Sequence, residues 1–180
     1  VQLQNLLDNK DYVSAKELNT KMISKLPLDA YYNGSMAYIL SVECLSTQCA
    51  KNNPETLKKI QDHMLKSNGL AQVKEAYYVD FYRKIIDNVI KIAQEQTTIE
   101  KAANILKKFV NQQNKRTGYI YKKLQQDNLD FIREGYTDKI LFNTRLIQKL
   151  NFGLTNQQKA LLDFKESLYS NQSISVMHDK

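Results

Sequence analysis

The sequence predicts an all-α protein of eight or nine mostly antiparallel helices, and three features of the chain support this prediction. Only five of its 180 residues are glycine and two are proline, which favours long uninterrupted elements over a turn-rich β-fold. Residues that favour helix, such as Lys, Gln, Leu and Ala, are abundant. Apolar side chains return at three- and four-residue intervals along most of the chain, and the nearest strand-like alternation is confined to residues 173–176.

Proline, glycine and capping residues divide the first part of the chain. Pro27 ends one helix, and Asn53 and Pro54 suit the N-cap and first position of another. Gly69 follows the end of the helix that begins at Asn53. The predicted helices of this part span residues 2–8, 12–26, 29–46 and 53–68.

The second part of the chain opens with its longest apolar pattern, over residues 70–96. A helix that is apolar around so much of its circumference is expected in the core. Thr97–Glu100 and Thr155–Gln158 each fit a capping box, which predicts a helix start at both places. One predicted helix begins at each of these two boxes, and two further helices span residues 119–134 and 138–151. Residues 171–180 are predicted to be a frayed tail.

The segment Leu6–Lys16 resembles the middle of a tetratricopeptide repeat. Tyr12 stands where that family has an aromatic residue, Ala15 follows as the small residue, and Pro27 closes the second helix. The resemblance covers residues 1–45 and implies an α-solenoid arrangement at this end of the chain. No 34-residue period extends beyond residue 70, so an irregular helical bundle stays open as the alternative. We therefore expect one all-helical domain over residues 1–170, with helix pairs at 1–68 and a bundle at 70–170.

Charge and hydropathy limit the partners that the protein can have. The net charge of +7 favours an acidic protein, a nucleic acid or an anionic membrane surface. No apolar run approaches the roughly 20 residues that span a bilayer. No signal peptide is visible, and because the sequence opens at Val1, the earlier removal of a targeting segment stays open.

Cys44 and Cys49 are the only cysteines, and their spacing raises the question of a disulfide. On a continuous helix the two side chains point in different directions, but a helix that ends near Ser46 lets the pair close. The alternative is two unrelated thiols. The even cysteine count favours an extracytoplasmic location, periplasmic or secreted, over the cytoplasm.

The sequence shows no catalytic or cofactor-binding pattern. Its two histidines, His63 and His178, form no recognisable nucleophile–base pair. The cysteines match no zinc-ligand spacing, and glycine-rich phosphate loops are absent from the sequence. We therefore expect a non-enzymatic protein with no cofactor and no metal.

Two groups of residues are candidates for partner binding. Tyrosines near helix starts suit a protein interface, since tyrosine offers rigid area with a polar tip; the candidates of this kind are Tyr31, Tyr32, Tyr119 and Tyr121, and Tyr136 also lies near a helix start. Tyr38 lies on an apolar stripe and joins these candidates if it is at the edge of the core. A basic stretch at 101–123 suits nucleic acid, although it also suits a solvated helix face; its members are Lys101, Lys107, Lys108, Lys115, Arg116, Lys122 and Lys123.

The predicted function is a protein–protein interaction module, acting as an adaptor, scaffold or inhibitory partner. A groove between helix pairs is expected to receive a peptide or helix, with Tyr31 and Tyr32 as anchors and nearby lysines favouring an acidic ligand. The alternative is a nucleic-acid-binding helical domain that uses the basic stretch.

Overall fold

The computed structural model describes residues 2–71, 75–110 and 114–178, with side chains except at 75–79, 110, 114–117 and 172–178. Within these ranges every regular element is a helix, so the predicted all-α class is confirmed. The ten helices are α1 (Gln2–Asp8), α2 (Tyr12–Lys25), α3 (Ala30–Thr47), α4 (Cys49–Asn52), α5 (Glu55–Leu70), α6 (Glu75–Gln96), α7 (Ile99–Val110), α8 (Asn114–Glu134), α9 (Thr137–Leu150) and α10 (Asn156–His178).

The contacts of the chain group into two compact units, Val1–Ile92 and Ala93–Lys180. The division falls inside α6, whereas the sequence suggested a change of character near residue 70. The single domain over residues 1–170 that the sequence predicts stays a prediction. None of the described helices is both long enough and apolar enough to cross a membrane.

In the first unit, α3 is the central helix and packs against α2, α4 and α5. Glu43 is its only charged residue, and buried positions lie around most of its circumference. Asn88 on α6 donates to Ser41 Oγ on α3 at 3.0 Å, which ties these two helices together. Helices α1, α2 and α3 contribute to one core cluster, formed by Leu3, Leu7, Ala15 and Ile39.

Helix α3 approaches its neighbours closely at Gly34. A Cβ atom at this position would lie 2.9 Å from Ser67 Oγ and 3.0 Å from a ring carbon of Phe81. The Ser67 hydroxyl donates to the Ala30 carbonyl at 2.7 Å and shares a hydrogen bond with the Tyr82 hydroxyl at 2.8 Å. A side chain at position 34 would therefore push α3 away from α5.

In the second unit, α9 is the central helix and packs against α7, α8 and α10. Its inward face buries Ile140, Leu146 and Ile147. Gln94, in the last turns of α6, donates to Asp127 on α8 at 3.1 Å and to Asn143 on α9 at 2.9 Å. The amide of Gln94 thus links three helices of this unit.

Several helix boundaries differ from the sequence-based expectation. The short helix α4 was not predicted and brings the described helices to ten. The cap of α7 is Thr98, which accepts from the Lys101 amide at 3.4 Å, whereas Thr97 turns back to the Ala93 carbonyl. The last helix, α10, extends to His178, through most of the predicted tail.

Candidate functional site

An open groove of about 820 Å³ lies between α2 and α3 in the first unit. We call this feature the α2/α3 groove. Its α2 wall follows the spacing i, i+1, i+4, i+5, i+8 and i+9, which is one face of a helix. The lining residues are Tyr12, Val13, Lys16, Glu17, Thr20 and Lys21 from α2 and Val42, Glu43 and Ser46 from α3.

Local sequence fixes the two helices that form the walls. Asp11 caps α2 by accepting from the Ser14 amide at 3.2 Å, and Asp29 caps α3 by accepting from the Tyr32 amide at 2.9 Å. Ala15, on the inner face of α2, is fully buried and lets this helix pack tightly on the core. The outer face of α2 is left free to line the groove.

The apolar part of the groove is formed by Tyr12, Val13 and Val42. The Val13 side chain is 83% exposed, so it already stands open to a partner. The Tyr12 ring packs edge-to-face on Tyr38, with ring centroids 6.2 Å apart. Burial, together with a hydrogen bond and a charge interaction with Tyr12, raises the pKa of Tyr38 to about 12, so this phenol is neutral at physiological pH.

Charges of both signs border these apolar side chains. Lys16 Nζ lies 2.8 Å from Glu43 Oε2, so this ion pair connects the two walls of the groove. Along α2, Lys21 lies 3.9 Å from Glu17. Both pairs are substantially exposed, and such pairs contribute at most about 1 kcal/mol, so a partner can rearrange them at little cost. The groove contains two lysines and two glutamates and has no net charge.

The predicted tyrosine anchors Tyr31, Tyr32 and Tyr38 are half-buried against the N-terminal core cluster. Tyr31 and Tyr32 pack edge-to-face with ring centroids 5.5 Å apart, and the Tyr31 hydroxyl donates to Gln4 Oε1 at 2.9 Å. None of the three is among the groove-lining residues. The sequence had singled out Tyr12 only as part of the repeat-like motif, yet Tyr12 is the tyrosine that lines the groove.

The other two predicted anchors, Tyr119 and Tyr121, lie half-buried on α8 in the second unit. The Tyr121 hydroxyl accepts a hydrogen bond from Gln125 on the same helix at 2.9 Å. The five tyrosines are thus divided between the two units, and their partner-binding role stays a prediction.

The basic stretch is distributed over α7 and α8. Lys101, Lys108 and Lys122 are exposed, while Lys107 and Lys123 are half-buried. Lys123 Nζ lies 3.6 Å from Asp127 Oδ1, so part of its charge is already matched. The side chains of Lys115 and Arg116 lie outside the described residues.

Cys44 and Cys49 are joined by a disulfide, with their Cα atoms 4.7 Å apart. The α-helix α3 ends at Thr47, and Gln48 adopts a left-handed conformation with φ 53°, which turns the chain so that the two thiols meet. The condition that the sequence set for this bond, a helix end near Ser46, is therefore fulfilled. Both cysteines are buried, so the bond is shielded from exchange with external thiols.

His63 lies on α5, where its side chain is half-buried and contacts Asn33. Its Nδ1 lies 3.1 Å from Asn33 Oδ1, and the Asn33 amide nitrogen donates to the carbonyls of Pro27 and Asp29. This arrangement places the Nδ1 proton on the histidine, because the Asn33 oxygen must accept. Burial lowers the pKa of His63 most strongly, Lys66 lowers this pKa further, Asp62 raises it, and Lys59 lowers it by the smallest amount. Among the residues described, no three potential metal ligands gather into a site.

Comparisons of the chain with protein-family models, with curated proteins and with solved structures find no match.

Proposed function

We propose that the protein is a non-enzymatic interaction module that holds an amphipathic helix of a partner in the α2/α3 groove. The observation that carries this proposal is the exposed apolar lining, above all Val13 at 83% exposure, in an open groove of about 820 Å³. Acting as an adaptor, scaffold or inhibitory partner requires only such a surface. Helix-in-groove recognition uses apolar anchors at i, i+3, i+4 and i+7 of the bound helix.

The dimensions of the groove support a helix as the ligand. The α2 wall from Tyr12 to Lys21 rises about 13 Å at 1.5 Å per residue. That length accommodates about two and a half turns of a bound helix, enough for three anchor residues. Tyr12 offers ring area near one end, and Val13 and Val42 offer aliphatic surface on the two walls.

The charge of the groove favours a partner of mixed charge. Because Lys16 and Lys21 are matched by Glu43 and Glu17, the lining favours neither sign overall. An acidic partner, as the sequence suggested, would need to displace Glu43 from Lys16. Tyr31 and Tyr32 would contact a partner only where it extends beyond the lining.

The proposal can be tested with labelled synthetic peptides of about 18 residues, a length that supports an isolated helix. The peptides carry leucines at i, i+3, i+4 and i+7, and the flanks are acidic, basic or mixed. We expect fluorescence anisotropy to give a Kd on the order of 10–100 µM, tightest with mixed flanks.

The matched variants are Val13→Asp in the groove and Leu28→Asp outside it. Leu28 is 71% exposed, so both substitutions place a carboxylate at an open apolar position of the same unit. Val13→Asp should raise the Kd at least about tenfold, which corresponds to about 1.4 kcal/mol. Leu28→Asp should leave it unchanged. Absence of binding, or equal loss in both variants, would contradict the proposal.

The second unit supports an alternative function in nucleic-acid binding. It contains 14 lysines and arginines against 9 acidic residues, whereas the first unit contains 12 against 10. Lys101 and Lys122 project into solvent on α7 and α8. Binding of a generic oligonucleotide that weakens steeply with salt, and weakens further in the double variant Lys101→Gln/Lys122→Gln, would favour this alternative.

We also propose that the protein works outside the cytoplasm, in the periplasm or as a secreted protein. The support is the Cys44–Cys49 disulfide, since such bonds persist in oxidising compartments. Thiol titration of protein isolated from its native source and unfolded without reductant tests this point. Two titratable thiols would contradict it.

A further inference from the structure

The last helix carries a stripe of three apolar side chains that are exposed to solvent. Leu161, Phe164 and Leu168 are 52%, 65% and 41% exposed. They stand at i, i+3 and i+7, which places them along one side of α10. The other side faces α9, where Leu162 is buried and Glu166 Oε1 accepts from Arg145 Nε at 3.2 Å.

We infer that the stripe on α10 of one copy docks into the α2/α3 groove of a second copy. This inference rests on the proposed function, because it names the helix that the groove receives. The chain thus contains both an apolar groove that fits a helix and a helix with open anchors at the spacing that such a groove recognises.

The two surfaces match in length. The stripe from Leu161 to Leu168 rises about 10 Å, and the α2 wall of the groove rises about 13 Å. Phe164, the most exposed of the three, is the central anchor, and it can pack against Tyr12, Val13 and Val42. A few residues near the centre of an interface contribute most of its binding energy.

One charge beside the stripe can pair with one acid of the groove. The acids on the α9-facing side of α10 are already engaged, Asp163 with Gln148 at 2.9 Å and Glu166 with Arg145. The charge next to the stripe is therefore Lys165, which follows Phe164 on the helix. Glu17 in the groove is largely exposed and lies 3.9 Å from Lys21, so it can turn to an incoming lysine.

The size of the contact predicts a weak association. The three stripe residues expose roughly 300 Å² of apolar surface, which is typical of a functional patch on a monomer. Together with the groove lining, the buried area stays below the roughly 1,200 Å² of stable complexes. We therefore expect a Kd below about 200 µM but not in the nanomolar range.

The contact is heterologous, since a groove on one copy receives a stripe from another. After one contact forms, each pair still has one free groove and one free stripe, so the assembly can grow. Growth of this kind distinguishes the inference from a symmetric dimer.

Sedimentation velocity of the full chain up to about 500 µM tests the inference, because this range exceeds the expected Kd. Val13→Asp places a charge in the groove, and Phe164→Asp places a charge in the stripe, so each variant retains only the other surface. Both residues are exposed, so the substitutions should leave the fold intact. Each variant alone should be monomeric. A mixture of the two should form dimers and nothing larger, because it contains one working groove and one working stripe. Leu129→Asp, at a 54% exposed position on α8, is the matched control and should associate like the wild type.

Wild-type protein that stays monomeric throughout this range would overturn the inference. If the helical peptides still bind the groove in that case, the proposed function survives. Association that persists in either single variant, or a mixture that does not dimerise, would also overturn it, because another surface would then be responsible.

Discussion

The substitution Gly34→Ala tests the packing that positions α3, one wall of the groove. An added Cβ would lie 2.9 Å from Ser67 Oγ and 3.0 Å from the Phe81 ring. The Ser67 hydroxyl cannot move freely, because it is held by the Ala30 carbonyl and the Tyr82 hydroxyl. The added methyl group must therefore separate α3 from α5 or break these hydrogen bonds.

Two opposing effects determine the magnitude. Alanine favours a helix over glycine by about 1 kcal/mol. Overpacking costs about 1–3 kcal/mol, and each weakened hydrogen bond of Ser67 costs about 1 kcal/mol more. We therefore expect Gly34→Ala to lower the free energy of unfolding by about 2 kcal/mol.

Urea denaturation followed by circular dichroism measures this change. Gly69→Ala, on α5 of the same unit, is the matched control because no atom lies within 4 Å of the added Cβ. It should stabilise the protein by up to about 1 kcal/mol. A Gly34→Ala variant as stable as the wild type would refute the close approach of α3 and α5.

Three further predictions concern other parts of the fold. Because the pKa of His63 is lowered in the folded state, the unfolded state takes up a proton first, so the free energy of unfolding should fall from about pH 7 towards pH 5. Urea unfolding at a series of pH values should show a smaller fall in His63→Gln than in the wild type, and an equal fall in both would refute this. Reduction of Cys44–Cys49 should cost about 2 kcal/mol for so short a loop, measured by urea unfolding with and without reductant, and an unchanged midpoint would argue against the bond. Thr155→Ala should cost about 1 kcal/mol by removing the cap of α10, and a change near zero would contradict the capping role.

Local sequence signals predicted the helices well because the relevant interactions are local. Thr155 and Gln158 form the reciprocal capping box that the sequence indicated, with distances of 2.9 and 3.1 Å. At Thr97 the same reasoning was wrong by one residue, because the Thr97 hydroxyl bonds back to Ala93 and leaves Thr98 as the cap. Because the two threonines are adjacent, the sequence alone does not show which of them caps α7.

The groove could not be predicted because it depends on how two helices pack. Val13 and Tyr12 are neighbours in a repeat-like motif, and nothing in the sequence shows that Val42 lies on the opposite wall. Tyr31 and Tyr32 were chosen by residue type and position, but their environment is set by contacts with α1 that are distant in sequence. The disulfide was predictable only as an alternative, because it depends on the left-handed turn at Gln48.

The most direct test of the proposed groove is a titration of isotope-labelled protein with the mixed-flank helical peptide, followed by amide chemical shifts in NMR. We expect the largest shifts in residues 12–21 and 42–46, with little change along α8. Largest shifts elsewhere, or none at saturating peptide, would show that the α2/α3 groove is not where a partner helix binds.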